Sequence, residues 1–281
     1  MIIWINLPES KIRREQIEKI SKHIEEQHML IEAVDGLKLQ DLNYRSKVSE
    51  ELNIDKNKLN PTYYHNRKNF QSQSTNIKKI LPKVGCYLSH LSALKTALDL
   101  ELDSVIILED DAVPQLDLID SLKKYKGMDS DVVYLGGHSK KLPDKISGGF
   151  ISCEEFNLFG TYGYYLPTPE AIKKIFHLLK STFNDTEKKC LKLRKPSSVP
   201  MMMAIDKFYK KFLHQKSICV YPPLVKHNDN IESTIDTSKY YKKRCGNICI
   251  SELINNSKSE GNDLPTAGLE SCINEIFINI E

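Results

Sequence analysis

Apolar positions along the chain alternate between two periods, one suited to strands and one to helices. Short apolar runs predict strands at Ile2 to Leu7, Met29 to Val34, Ser104 to Leu108, Asp131 to Leu135, Phe159 to Leu166 and Ser217 to Val220. Helical spacing fills the gaps. Ile17, Ile20 and Ile24 form a stripe over Lys11 to Gln27, with Ser10 placed as its cap. Leu88, Leu91, Leu94, Leu98 and Leu102 recur after Pro82 and Gly85, predicting a helix over Leu81 to Leu102. Thr168-Pro169 opens another helix through Ile172, Ile175, Phe176 and Leu179, and Met201 to His214 forms a further one. A strand-helix-strand opening of this kind predicts a nucleotide-binding α/β fold.

Polar stretches separate these elements. Leu37 to Leu81 is weakly periodic, fits short helices, and contains a long loop over Asn60 to Thr75 in which Tyr63-Tyr64-His65 could stack on a ligand. Thr182 to Pro200 reads as a charged connector, and Leu224 to Asn230 as a polar loop holding His227. No internal repeat is visible. The pattern predicts one principal domain over 1–238 and an appendage over 239–281 that ends in an amphipathic helix, Leu269 to Ile280. That helix carries Glu270, Glu275 and Glu281 on its polar side, which suits packing on the body or pairing of two copies better than an anionic membrane.

The run Val105-Ile106-Ile107-Leu108 has apolar side chains on both faces, as a buried central strand requires, and it runs straight into Glu109-Asp110-Asp111. Alternation sends Glu109 and Asp111 to one side and Asp110 to the other. In open α/β sheets ligands gather beyond the carboxyl ends of strands, and three crowded carboxylates repel unless a cation neutralises them. Oxygen ligation suits Mg²⁺ or Mn²⁺. The alternative is an acidic strand-to-loop junction facing water. Cys86, Ser89 and His90 fall in the expected first turn of the Leu81 to Leu102 helix, where backbone N–H groups favour anions, although a His there can equally be packed or capping. Gly136-Gly137 would let backbone approach a ligand, or simply turn.

Composition narrows the field. The chain is 40% hydrophobic and 27% charged, ordinary for a globular protein, and a net charge of +3 does not predict a nucleic-acid binder. Basic clusters at Lys188 to Lys195 and Lys239 to Arg244 would allow contact with phosphate, an anionic acceptor or the inner face of a membrane. Met1 leads directly into Ile2-Ile3-Trp4-Ile5 without a cleavable leader, no segment is long enough to span a bilayer, and seven scattered cysteines suit a reducing compartment, so a cytoplasmic location is expected. Cys245 and Cys249 could share a metal but lack a second pair. No G-x-G-x-x-G or P-loop sequence is present, so any nucleotide must be held another way.

Taken in order, several segments resemble glycosyltransferase family 25, the lipooligosaccharide-biosynthesis and collagen-galactosyltransferase type. They are Ile5-Asn6-Leu7 with Arg13-Arg14, Ala33-Val34-Asp35-Gly36, Gly85-Cys86-Tyr87-Leu88-Ser89-His90, Ile107-Leu108-Glu109-Asp110-Asp111, Tyr162-Gly163-Tyr164-Tyr165-Leu166, Ala204-Ile205-Asp206 and Tyr221-Pro222-Pro223-Leu224-Val225. The resemblance implies a GT-A-like fold with a mixed, mostly parallel sheet, a UDP-hexose donor and inversion at the anomeric carbon. It implies that Glu109-Asp110-Asp111 bridges Mn²⁺ or Mg²⁺ to the diphosphate, with Asp111 the favoured ligand and Glu109 or Asp110 touching ribose or the metal through water. Asn6, Leu7, Asp35 and Gly36 would frame the uridine, Arg13 or Arg14 would meet phosphate, and Ser89 and His90 belong to the shared motif near the donor. Asp206 becomes the candidate base and His227 a candidate metal ligand, where the family pattern would carry Gln. The acceptor would be a glycan, a lipooligosaccharide or a hydroxylysine.

Two other classes fit parts of this pattern. One is a non-catalytic sugar- or protein-binding module on the same fold. The other is a metal-dependent nucleotidyltransferase or phosphohydrolase, which also sets carboxylates at strand ends.

Overall fold

The computed structural model describes residues 1–61, 77–126, 128–139, 149–153, 160–184, 205–213, 216–228 and 248–249. The chain opens with β1 (Ile2–Asn6), α1 (Lys11–Ser21) and β2 (His28–Glu32), followed by α2 (Leu42–Leu52), α3 (Lys56–Leu59) and the long α4 (Ile77–Asp99). Then come β3 (Val105–Glu109), β4 (Ala112–Pro114), α5 (Leu118–Leu122), β5 (Val132–Tyr134), β6 (His138–Ser139), β7 (Phe150–Ser152) and β8 (Gly163–Leu166). The described chain ends with α6 (Pro169–Asn184), α7 (Ile205–Phe212), β9 (Ser217–Val220), β10 (Val225–His227) and β11 (Ile248–Cys249).

Seven strands form one sheet in the order β2-β1-β3-β8-β5-β9-β7. β2, β1, β3, β5 and β9 point the same way, and β8 and β7 run against them. The fold is therefore α/β with the mixed, mostly parallel sheet expected of a GT-A-like enzyme. Both faces are covered, which explains the unbroken apolar runs. Ile3, Ile5, Val105 and Ile107 pack with α4, α6 and α7 on one face. Ile2, Trp4, Ile106 and Leu108 pack with Ile17 and Ile20 of α1 and with Leu118 and Leu122 of α5 on the other.

Several boundaries differ from expectation. α1 stops at Ser21, yet Ile24 still reaches the core from the turn that follows, 4% exposed. Ser10 makes no side-chain cap; its amide donates to the Leu7 carbonyl instead. Thr168 does cap α6, accepting from the Ala171 amide at 3.1 Å. α4 begins at Ile77, so Pro82 lies inside it and Cys86, Ser89 and His90 sit two to three turns in, away from any helix N-terminus. An interior proline removes a backbone hydrogen bond. Buried Ile80 and Leu81 hold the upstream turn by packing. Pro114 lies in β4, which pairs antiparallel with β10, so His227 is on a strand and not in a loop. Gly136 faces protein: a Cβ there would lie 2.1 Å from the Val225 carbonyl oxygen.

Ile248–Cys249 pairs with His138–Ser139, joining the region after residue 239 to the body by a short ladder. Tyr63-Tyr64-His65, most of the Thr182 to Pro200 connector, Cys245 and the Leu269 to Ile280 helix lie outside the described residues. Among the described residues, no helix is long and apolar enough to cross a membrane.

Candidate active site

Chain order scatters the candidate residues; strand pairing collects them. β1 and β3 are parallel neighbours in register Ile5↔Glu109, so Asn6 stands beside the acidic tip. The Asn6 amide donates to Asp110 Oδ2 at 2.9 Å. One turn into α1, buried Arg13 forms an ion pair with Asp110 and reaches Asp111 Oδ2 at 3.5 Å. On the other side, β10 brings His227 Nε2 to 3.4 Å from Asp111 Oδ2, and the Asn228 amide donates to the Asp111 carbonyl at 2.8 Å.

Glu109 belongs to a different set. It follows Val105 and Ile107 in strand parity and therefore faces α4. Its Oε1 accepts from Thr161 Oγ1 at 2.9 Å and lies 3.2 Å from His90 Nε2. His90 is fully buried. Behind it, Tyr209 donates to the Tyr164 hydroxyl at 3.1 Å, and Tyr164 in turn lies 2.9 Å from His90 Nδ1. With Tyr164 donating to Nδ1, a proton on Nε2 points at Glu109. Cys86, one helical turn before His90, completes this group, with one ligand atom from each of Cys86, His90 and Glu109 within 4.8 Å of the others.

Asp111 thus leaves on the side of Asp110 and Arg13 and not with Glu109. Alternation holds only while the chain is extended, and β3 ends at Glu109. The structure divides the acidic tip in two: Glu109 toward α4, and Asp110 with Asp111 toward α1 and β10.

Electrostatics follow this division. Burial raises Asp110 above the ordinary carboxylate range, outweighing the Arg13 charge. Burial acts on Asp111 too, but hydrogen bonding and charge from His227, with Arg13, outweigh it and hold the carboxyl below its ordinary value. The Cys86 thiol is pushed well up, first by burial and then by Glu109, Asp206, Asp111 and Asp110. Asp206, second residue of α7, comes near this tip from almost a hundred residues downstream; burial raises its carboxyl and the Glu109 charge adds to that.

Among the described residues, two buried oxygens at the tip find no hydrogen-bond partner: Asn6 Oδ1 and Asp111 Oδ1. Buried acceptors without a donor are rare. The Asp111 carboxylate and the His227 imidazole are groups that could hold a divalent cation, and Asn6 Oδ1 is a further acceptor at the same tip.

The other candidates shape the cleft. The Ser89 hydroxyl accepts from the Val34 amide at 2.8 Å and donates to the Gly85 carbonyl at 2.7 Å, stitching the exit of β2 to α4. Asp35 accepts from the Leu37 amide at 2.8 Å, and Gly36 lies against the α4 backbone. Leu7 carries the turn into α1. Beyond the ends of β1 and β2, a cleft is lined by Pro8, Val34, Asp35, Lys38 and Tyr44. Reading the sequence alone missed Thr161, Tyr164 and Tyr209 as supports of the site; the pairing of β8 with β3 places the first two there, and the packing of α7 brings Tyr209 to Tyr164.

The fold is α/β and GT-A-like, with an acidic run at the tip of an inner strand. The model of glycosyltransferase family 25 (LPS biosynthesis protein) matches residues 1–188, two thirds of the chain, and the protein belongs to that family. It is a glycosyltransferase, which moves a sugar from a donor to a glycan acceptor. No curated protein matches it.

Proposed function

We propose that this protein transfers a hexose, galactose or glucose, from a UDP-sugar to a hydroxyl of a glycan acceptor of the lipooligosaccharide kind, using Mn²⁺ or Mg²⁺ and inverting the anomeric centre. The observation that carries this reading is the pair of buried, unpartnered oxygens Asn6 Oδ1 and Asp111 Oδ1 beside His227. Asp111 and His227 would hold the cation, and Asn6 would meet a donor from ribose. When bound, the cation supplies positive charge to the diphosphate as it leaves. Arg13 stands behind Asp110 and Asp111, where its charge also favours phosphate. The cleft of Pro8, Val34, Asp35 and Tyr44 offers the uridine a bounded slot. Asp206 takes the acceptor proton; burial lifts its carboxyl toward the range that suits a base.

The test is a thermal-shift screen of UDP-sugars with Mn²⁺, paired with product analysis. Stabilisation by one UDP-hexose, with UDP released and both effects lost in Asp111→Asn, is the expected result. Release of pyrophosphate or inorganic phosphate would make the protein a nucleotidyltransferase or phosphohydrolase. Binding without turnover would make it a sugar-binding module.

A further inference from the structure

Glu109 faces away from the Asp111–His227 pair and toward two groups of different chemistry. α4 presents Cys86 and His90 four residues apart, on one helical face. β3 brings Glu109 against them, and sulfur, imidazole nitrogen and carboxylate oxygen lie within 4.8 Å of one another. We propose that Cys86, His90 and Glu109 form a second cation site, selective for a thiophilic divalent metal of the zinc class. It is separate from the site assigned above to a hard cation, and it stands whether or not that assignment does.

The geometry is close to what such a metal needs. With bonds of about 2.0–2.3 Å, the edges of a tetrahedral site measure about 3.3–3.8 Å. The His90–Glu109 edge is 3.2 Å. The Cys86 sulfur lies within 4.8 Å of both, and rotation about its χ1 is the freedom that would bring it onto a metal. Cys86 and Glu109 are partly exposed, so a hydrated ion can enter and keep an open position for water. His90 has the support that metal-bound imidazoles require: its second nitrogen is held by Tyr164, itself backed by Tyr209. On binding, the imidazole proton shifts from Nε2 to Nδ1 and the two tyrosine hydroxyls rotate, Nδ1–H donating to Tyr164. The thiol proton leaves to solvent, so one proton is released for each metal bound. Sulfur ligation discriminates against Mg²⁺ and Mn²⁺.

The full chain titrated with Co²⁺ reports this site directly. A thiolate-to-cobalt charge-transfer band should grow to one equivalent and be displaced by one equivalent of Zn²⁺. In Cys86→Ser the band should vanish and Co²⁺ affinity fall about tenfold or more. Asp111→Asn should leave the band intact, which separates this site from the donor site. In the wild-type chain, Zn²⁺ should slow alkylation of Cys86 by iodoacetamide, a measurement that needs no variant to fold. No band in the wild type, a band that persists in Cys86→Ser, or alkylation of Cys86 at an unchanged rate would each overturn the proposal.

Discussion

Gly85 and Gly36 are where the donor cleft is fastened to α4, and replacing either by alanine tests that contact. A Cβ on Gly85 would lie 2.4 Å from the Val34 carbonyl oxygen and 2.6 Å from the Gly36 nitrogen. One on Gly36 would lie 1.8 Å from the Leu81 carbonyl oxygen. All of these are backbone atoms, so no side chain can swing aside. Gly36 has φ −58° and ψ −34°, so its conformation suits any residue and the steric argument stands alone. Overpacking costs about 1–3 kcal/mol. Alanine inside α4 recovers about 0.5–1 kcal/mol of helix preference, which leaves Gly85→Ala a net loss of about 0.5–2 kcal/mol. Gly36→Ala has no helical gain and the closer clash, so it should cost about 3 kcal/mol or more. At about 2–4 °C per kcal/mol, Tm should fall by about 1–8 °C for Gly85→Ala and at least about 6 °C for Gly36→Ala. A shift of α4 that accommodates one methyl also makes room for the other, so the double variant should lose less than the sum. Urea denaturation of the four proteins measures all of this. An unchanged or raised stability in Gly85→Ala would mean that helix preference outweighs packing here, and would refute the close contact.

Further outcomes follow from the polar groups. Asp206→Asn should abolish transfer while raising stability at neutral pH. The folded protein holds this carboxyl's proton above its ordinary pKa, so stability falls as pH rises from the unfolded pKa through the folded one. The gain should fade on acidification, and a Tm difference independent of pH would count against it. Tyr164→Phe should strand His90 Nδ1 and the Tyr209 hydroxyl in the core, costing about 1–3 kcal/mol by urea denaturation. A Tyr164→Phe protein as stable as the wild type would show that these groups find other partners.

Much of this was readable from residues alone because two-sided burial leaves a plain mark. Val105 to Leu108 is apolar at every position since both faces are covered, and acids directly after such a run must sit at the end of the strand. The stripe of α6 and its Thr168 cap were equally plain. Other features depend on tertiary context. Pro82 reads as a helix start, yet packing of Ile80 and Leu81 carries α4 past it. The split between Glu109 and Asp111 turns on one residue, the point where β3 stops, and alternation cannot locate that point. His227 reads as a loop residue because Val225–His227 is a strand only by virtue of its partner Ala112–Pro114.

That partner explains the design of the site. β8 runs antiparallel between β3 and β5, and the segment before it delivers Thr161 to Glu109. The β4–β10 ladder starts just past the acidic tip and delivers His227 to Asp111. Each carboxylate is thus held by an element hydrogen-bonded to the strand it ends or to its continuation, so its position follows from sheet register and not from a loop. Rigid backbone at both flanks holds these buried acids close, with the Arg13 guanidinium shared between Asp110 and Asp111 and His227 beside Asp111. The repulsion that remains between them is what a cation bound there would relieve, as the proposed donor site requires.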